Sequence, residues 1–139
     1  MHLLDTDTLS RWFRGDVRVL QRLQETGEPG VATTIVSKIE TLRGRFDQLL
    51  KAANPAEFLR AQEQLNRTEE LLGGLHIVPL DAVALAEFER LGSVRGLKKI
   101  GRGDRLIASI ALAHRATLVS RNLRDFQRIP NLRVVNWLD

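Results

Sequence analysis

The chain has 139 residues, 43% of them hydrophobic, with 21 Lys+Arg against 17 Asp+Glu for a formal net charge of +4. A single domain spanning 1–139 is the simplest organisation, and at this length it buries about two thirds of its unfolded surface, so no disulfide or structural metal is needed for folding. The absence of cysteine excludes a disulfide framework, zinc-thiolate sites and cysteine nucleophiles, and the small positive excess favours anionic partners.

In chain order, Leu3-Leu4 is too short an apolar run for a helix and predicts a strand, placing Asp5 and Asp7 at its carboxyl end. Trp12, Phe13, Val17, Val19, Leu20 and Leu23 predict helical packing up to about Thr26, broken at Gly15-Asp16 and stopped by a turn at Gly27-Glu28-Pro29-Gly30. Val31 to Thr34 predicts a second strand, and Ser37 to Leu50 carries helical spacing in Ile39, Leu42, Phe46 and Leu49, with Glu40 on the flank of that stripe. Asn54-Pro55-Ala56-Glu57 has the pattern of an N-cap, a first-turn proline and an acid, so another helix is expected to run to Leu72 before Gly73-Gly74. Residues 37–72 thus predict a helical hairpin.

A third strand is expected at Leu75 to Val78, then a helix capped by Asp81, then a basic loop from Arg95 to Ile100. Gly101-Arg102-Gly103-Asp104 reads as a turn ending on an N-cap, before a helix so apolar that it belongs in the interior. Thr117 to Ser120 predicts a buried strand, Arg121 to Phe126 a polar turn, and Arg133 to Trp137 a last strand. Strands alternating with helices argue for an α/β fold with a short, mainly parallel sheet covered on both faces, an α/β/α arrangement of three layers. The longest apolar runs fall far short of the ~18 residues of a membrane span, and the first residues lack the pattern of a signal peptide, so a soluble cytoplasmic protein is expected.

Ligands of open α/β sheets sit beyond the carboxyl ends of the strands, which aims Asp5, Glu40, Asp104, Asn122 and Asp125 at one crevice from distant parts of the chain. Gathered carboxylates repel one another, so a cluster of them calls for protons or cations. Oxygen ligands without cysteine select Mg²⁺ or Mn²⁺, and such ions suit phosphodiester hydrolysis.

Leu3-Leu4-Asp5-Thr6-Asp7-Thr8-Leu9-Ser10, Ser37 to Gly44, Ile100 to Ala108 and Leu118 to Phe126 together resemble the PIN-domain ribonucleases, most closely the VapC-type toxins of bacterial toxin-antitoxin pairs. The likeness runs from Leu3 to Trp137 with the motifs in the family's order. It implies a PIN-like fold and an endoribonuclease dependent on Mg²⁺ or Mn²⁺, usually a homodimer, silenced by a cognate antitoxin. Asp5, Glu40 and Asp104 match the family's three invariant acids. At the fourth position some members carry Asp where this chain has Asn122, and others resemble it in pairing Asn with a nearby acid such as Asp125, so Asn122 and Asp125 are expected to contribute directly or through water, with Asp125 read as the helper through water. Thr6, Asp7 and Ser120 are expected to support the ligands, and Arg102, Arg105, Arg121 and Arg124, which border the motifs, to hold RNA.

Each residue also has a plainer reading. Asp104 alone reads as an N-cap, Asn122 with Asp125 as a capping box, and Glu40 as a solvated helix residue. Asp5-Thr6-Asp7 after a strand also resembles the nucleophile and acid pair of haloacid-dehalogenase-like phosphatases, but Thr8-Leu9 stands where that family has Gly-Thr. A catalytically inert RNA- or protein-binding module is the third possibility. His2, His76 and His114 show no metal-ligand spacing.

Overall fold

The computed structural model describes residues 1–27 and 30–139. Glu28 and Pro29 of the expected turn lie outside the described residues. In chain order the elements are β1 (His2–Leu4), α1 (Thr6–Phe13), α2 (Val17–Thr26), β2 (Val31–Thr34), α3 (Ile35–Leu50), α4 (Pro55–Gly73), β3 (His76–Val78), α5 (Ala82–Gly92), α6 (Arg102–Ala113), β4 (Thr117–Val119), α7 (Leu123–Phe126) and β5 (Arg133–Val135). The loop between α5 and α6 holds a single 3₁₀ turn at Leu97–Lys99.

The strands form one sheet in the order β3-β2-β1-β4-β5, and every pairing is parallel, more uniform than the mainly parallel sheet expected. The chain runs outward from β1 to β2 and β3 on one side, then returns to β4 and β5 on the other. The carboxyl end of β1 is therefore a switch point, where the crossovers leave in opposite directions and a crevice opens.

Alternation along these short strands separates two cores. Leu3, Ala32 and Leu118 face a cluster built with α5 and α6, whereas Leu4, Val31 and Val119 face one built with α1, α2 and Leu72 of α4. With a side-chain period of two, a single apolar run can feed both faces of a buried parallel sheet. The interior helix expected after residue 104 is α6, in which Ile107 to Ala111 are all buried.

Local chemistry fixes most helix starts. Asp5, Asp16, Thr34, Asn54 and Asp81 each accept from a backbone N–H in the first turn of α1, α2, α3, α4 and α5. Gly15 has φ +83°, a left-handed conformation that lets the chain turn sharply between α1 and α2. Helix α3 begins at Ile35, ahead of the expected Ser37, because the Thr34 hydroxyl accepts from Ser37 N at 3.1 Å. Helix α6 begins at Arg102 with Gly101 in the capping position and no side-chain cap. The expected N-cap at Asp104 is thus corrected: Asp104 is the third residue of the helix, and its carboxylate is not occupied in ending the backbone ladder.

Candidate active site

Asp5 leaves the end of β1 with its backbone N–H donating to Val119 O of β4 at 3.0 Å, so the switch point itself holds it. The residue is 8% exposed, and its Oδ1 accepts from Thr8 N at 2.9 Å. Burial pushes this carboxyl above its ordinary range, against hydrogen bonds from Ser120 and Thr8 that favour the charged form. Ser120 follows β4, and its Oγ accepts from Asn122 N at 3.0 Å. That leaves the hydroxyl proton to be given to Asp5.

Glu40 lies on α3, one and a half turns past β2, and is exposed. Thr6 Oγ1 lies 2.8 Å from Glu40 Oε1 and 3.1 Å from Ser37 Oγ. A hydroxyl carries one proton, so with Thr6 donating to Glu40, Ser37 supplies the proton of the second bond. A Cβ placed on Gly103 would stand 3.7 Å from Glu40 Oε2, so this carboxylate lies against the first turn of α6. Unpaired N–H groups and the helix dipole favour a negative charge there.

Asp104, in that same turn, is partly buried. Its carboxyl is raised by burial first, then by the negative charges of Glu40, Asp5 and Asp125. The four acids come from the β1–α1 junction, α3, α6 and α7, and the other three all act on Asp104. Asn122 caps α7, its Oδ1 accepting from Asp125 N at 3.5 Å and its Nδ2 donating to Asp125 Oδ2 at 3.1 Å, but the capping-box reading of this pair is only half met, because Asn122 N donates to Ser120 rather than to Asp125. The Nδ2 bond orients Asp125 without neutralising it.

The remaining expected residues divide. Thr6 and Ser120 hold acids of the cluster as described, whereas Asp7 is exposed and engages Arg11 Nε at 3.3 Å. Arg105 and Arg102 lay their guanidinium groups 4.1 and 5.5 Å from the Phe88 ring of α5, Arg121 pairs with Asp139 at 3.3 Å, and Arg124 is exposed. Sequence reasoning missed Ser37, which joins Thr6 to the cap at Thr34. The Thr34-x-x-Ser37 spacing is a helix-start signal that marks it.

The donor set is all oxygen, and the mutual repulsion felt at Asp104 is what a cation relieves, so the residues suit a hard divalent ion. Among the described residues, no three acidic or histidine side chains are gathered tightly enough to hold an ion by themselves. Waters or substrate oxygens would complete such a shell.

The PIN domain family matches residues 2–132 of the chain. Ribonuclease VapC2 of Rickettsia felis is 58% identical over 38 residues, a stretch that is 27% of this chain and spans 28% of that relative's length. Among solved structures, a chain of VapBC2 from Rickettsia felis bound to a DNA fragment from its promoter is 26% identical with a TM-score of 0.79, over 98% of both chains. A chain of FitAcB from Neisseria gonorrhoeae is 25% identical with a TM-score of 0.77, over 99% of this chain and 98% of the other.

Proposed function

This chain belongs to the PIN domain family, and we propose that it is an endoribonuclease dependent on Mg²⁺ or Mn²⁺, the toxin of a toxin-antitoxin pair. The observation that carries this reading is the convergence of Asp5, Glu40, Asp104 and Asp125 from separate parts of the chain on one crevice, where the Asp104 carboxyl is raised first by burial and then by the other three charges. The ribonuclease name of the Rickettsia felis relative supports the reaction class.

In this reading Asp5, Glu40 and Asp104 would hold the ion, with Asn122 and Asp125 contributing directly or through water. When bound, the ion lowers the pKa of a water and offsets charge developing at phosphorus. The chain's own residues perform the positioning. Thr8 N and Ser120 fix the Asp5 carboxylate, Thr6 aims Glu40, and Asn122 aims Asp125. Arg102, Arg105, Arg121 and Arg124 would bind the RNA backbone around the crevice.

A cognate antitoxin would silence the crevice, and a second copy of the chain would make a homodimer. Support for a dimer comes from the helical hairpin, where Phe46, Leu50, Phe58 and Leu59 are 46 to 67% exposed. Of the described helices, none is long and apolar enough to cross a membrane, which is compatible with work in the cytoplasm.

The test is cleavage of total cellular RNA by purified, antitoxin-free protein with Mg²⁺ or Mn²⁺. Discrete fragments, lost with chelator and with Asp104→Asn, are expected, and end-mapping would identify the RNA. Absence of cleavage by folded, metal-supplemented protein would overturn the reading in favour of a binding module.

A further inference from the structure

A cavity of about 430 Å³ opens between the end of α1 and the α3–α4 hairpin. Its polar lining is Arg14, Arg45, Gln48, Gln64, Arg67 and Thr68, with no acidic residue. A smaller cavity of about 90 Å³ shares Arg14, Arg45 and Gln48 with it and is lined at its other end by Glu40. Because they share these residues, the two cavities adjoin, and together they border a groove that reaches from three guanidinium groups toward Glu40.

These arginines are not placed to neutralise acids. Among the described residues, none of the three forms an ion pair. Arg45 Nε donates to Thr68 Oγ1 at 3.1 Å, and Nη1 donates to Gln48 Oε1 at 3.2 Å. Thr68 is tied in turn to Gln64 O at 2.9 Å. Neutral acceptors thus hold the Arg45 guanidinium in one orientation and leave its charge uncancelled. Burial and the neighbouring Arg14 charge both push against the charged form of Arg45. Assembling like charges in a half-enclosed space costs stability, and an anion placed between them removes that cost. Arg67 stands at the rim, shared with a second cavity that holds Glu63 and Glu70, so Arg14 and Arg45 are the central pair.

We propose that this groove is a phosphate-binding subsite that grips the backbone of the substrate RNA strand at a phosphate removed from the scissile one. The proposal rests on the ribonuclease reading for the identity of the anion. Guanidinium is suited to phosphate because its planar N–H groups meet two oxygens at once. The volume falls in the usual range of about 300 to 1,000 Å³ for small-ligand sites. With no tyrosine in the chain, backbone charge is a more available handle than base stacking. The groove would fix the direction in which the strand crosses the acids, and hence which phosphodiester bond reaches them.

The test measures binding of a fluorescent single-stranded uridylate oligomer of about 20 nucleotides, in chelator, across a salt series. The proteins are the full chain and its Arg14→Ala, Arg14→Lys and Arg14→Ala/Arg67→Ala variants, each checked for cooperative unfolding. Arg14 is exposed and makes no side-chain hydrogen bond among the described residues, so its removal leaves the fold intact. Affinity is expected to fall several-fold in Arg14→Ala, with the salt slope reduced by about 0.7 for each phosphate no longer neutralised and partial recovery in Arg14→Lys. Unchanged affinity and slope in the double variant would overturn the subsite, even for a protein that cleaves RNA. A wild type that binds through Arg14 yet never cleaves would overturn the nuclease reading and leave the subsite standing. If the substitutions weaken binding of a polyglutamate peptide and not of RNA, the groove instead receives an acidic protein segment and the proposal fails.

Discussion

Thr6 Oγ1 lies 2.8 Å from Glu40 Oε1, joining the first residue of α1 to the second turn of α3 by a side-chain hydrogen bond across 34 positions of sequence. Glu40 is exposed, and an exposed carboxylate on a flexible stem has many rotamers, so this bond selects the one that faces α6. Thr6→Val keeps the shape of the side chain and removes the donor. The expected outcome is a loss of metal affinity or kcat of about 10 to 100-fold with an unchanged far-ultraviolet spectrum. Thr6→Ser should recover much of it. Wild-type kinetics in Thr6→Val, measured across a Mg²⁺ titration, would show that Glu40 needs no such partner.

Away from the crevice, Asp16 gives a prediction on acid stability. It caps α2 by accepting from Arg18 N and pairs with the Arg18 guanidinium at 2.9 Å, while that guanidinium also donates to Leu138 O. The Arg18 hydrogen bond holds the Asp16 carboxyl down to about 2, below its ordinary 3.8. A carboxyl depressed in the folded state stabilises fully above the unfolded value and loses that contribution as pH falls through the folded one. Asp16→Asn retains a capping oxygen and loses the charge. Its Tm should lie slightly below wild type at neutral pH, as befits an exposed pair, and the two curves should converge between pH 3.8 and about 2. A gap that persists at the acid end would point to the cap rather than the ion pair.

What could be read from sequence alone follows from the range of the forces involved. Caps at Asn54 and Asp81 involve neighbours within a turn, so their positions are legible directly, whereas Asp16 reads only as part of a break and its cap on α2 emerges from the structure. The strand segments were legible because β1 and β4 are apolar on both faces. Their order was legible only as a class, since register and neighbour choice are tertiary. Asp104 reads locally as a cap, yet Gly101, with φ −55° and ψ 151°, already opens the helix three residues earlier without a side-chain cap. Ser37 and the Arg14–Arg45 groove were illegible for a different reason. Both depend on α1 and α3 packing side by side, which no periodicity encodes.

Asp5 does two separable things, capping α1 and presenting a carboxylate, and two substitutions divide them. Asp5→Ala removes the acceptor for Thr8 N and should cost about 1 kcal/mol of stability, the ordinary worth of an N-cap. Asp5→Asn keeps an acceptor oxygen and removes a charge that burial disfavours, so its unfolding free energy at neutral pH should equal or exceed that of wild type. Both should lose RNA cleavage by at least about a hundredfold, the scale expected when a group acting on the reacting atoms is removed. Denaturant unfolding beside a cleavage assay distinguishes the roles. An unstable Asp5→Asn, or an active one, would contradict this division.

Burial and, after it, the neighbouring acids raise the Asp104 carboxyl, which predicts that the metal-free protein gains stability when this charge is removed. Burial and the charges of Glu40, Asp5 and Asp125 all act against its ionised form, so at neutral pH the ionised side chain favours the unfolded chain, where those charges are far apart and hydrated. Asp104→Asn removes one member of the set and leaves the helix geometry alone, because Asp104 makes no capping bond. In chelator its Tm should therefore lie above that of wild type. Adding Mg²⁺ reverses the comparison: binding to the folded state alone stabilises by about 2.7 kcal/mol at one hundred times Kd, which wild type should gain and Asp104→Asn should largely forgo. The same variant should lose cleavage at every Mg²⁺ concentration. Equal melting curves for the two proteins in chelator, with equal responses to Mg²⁺, would mean that the four acids do not act as one cation site.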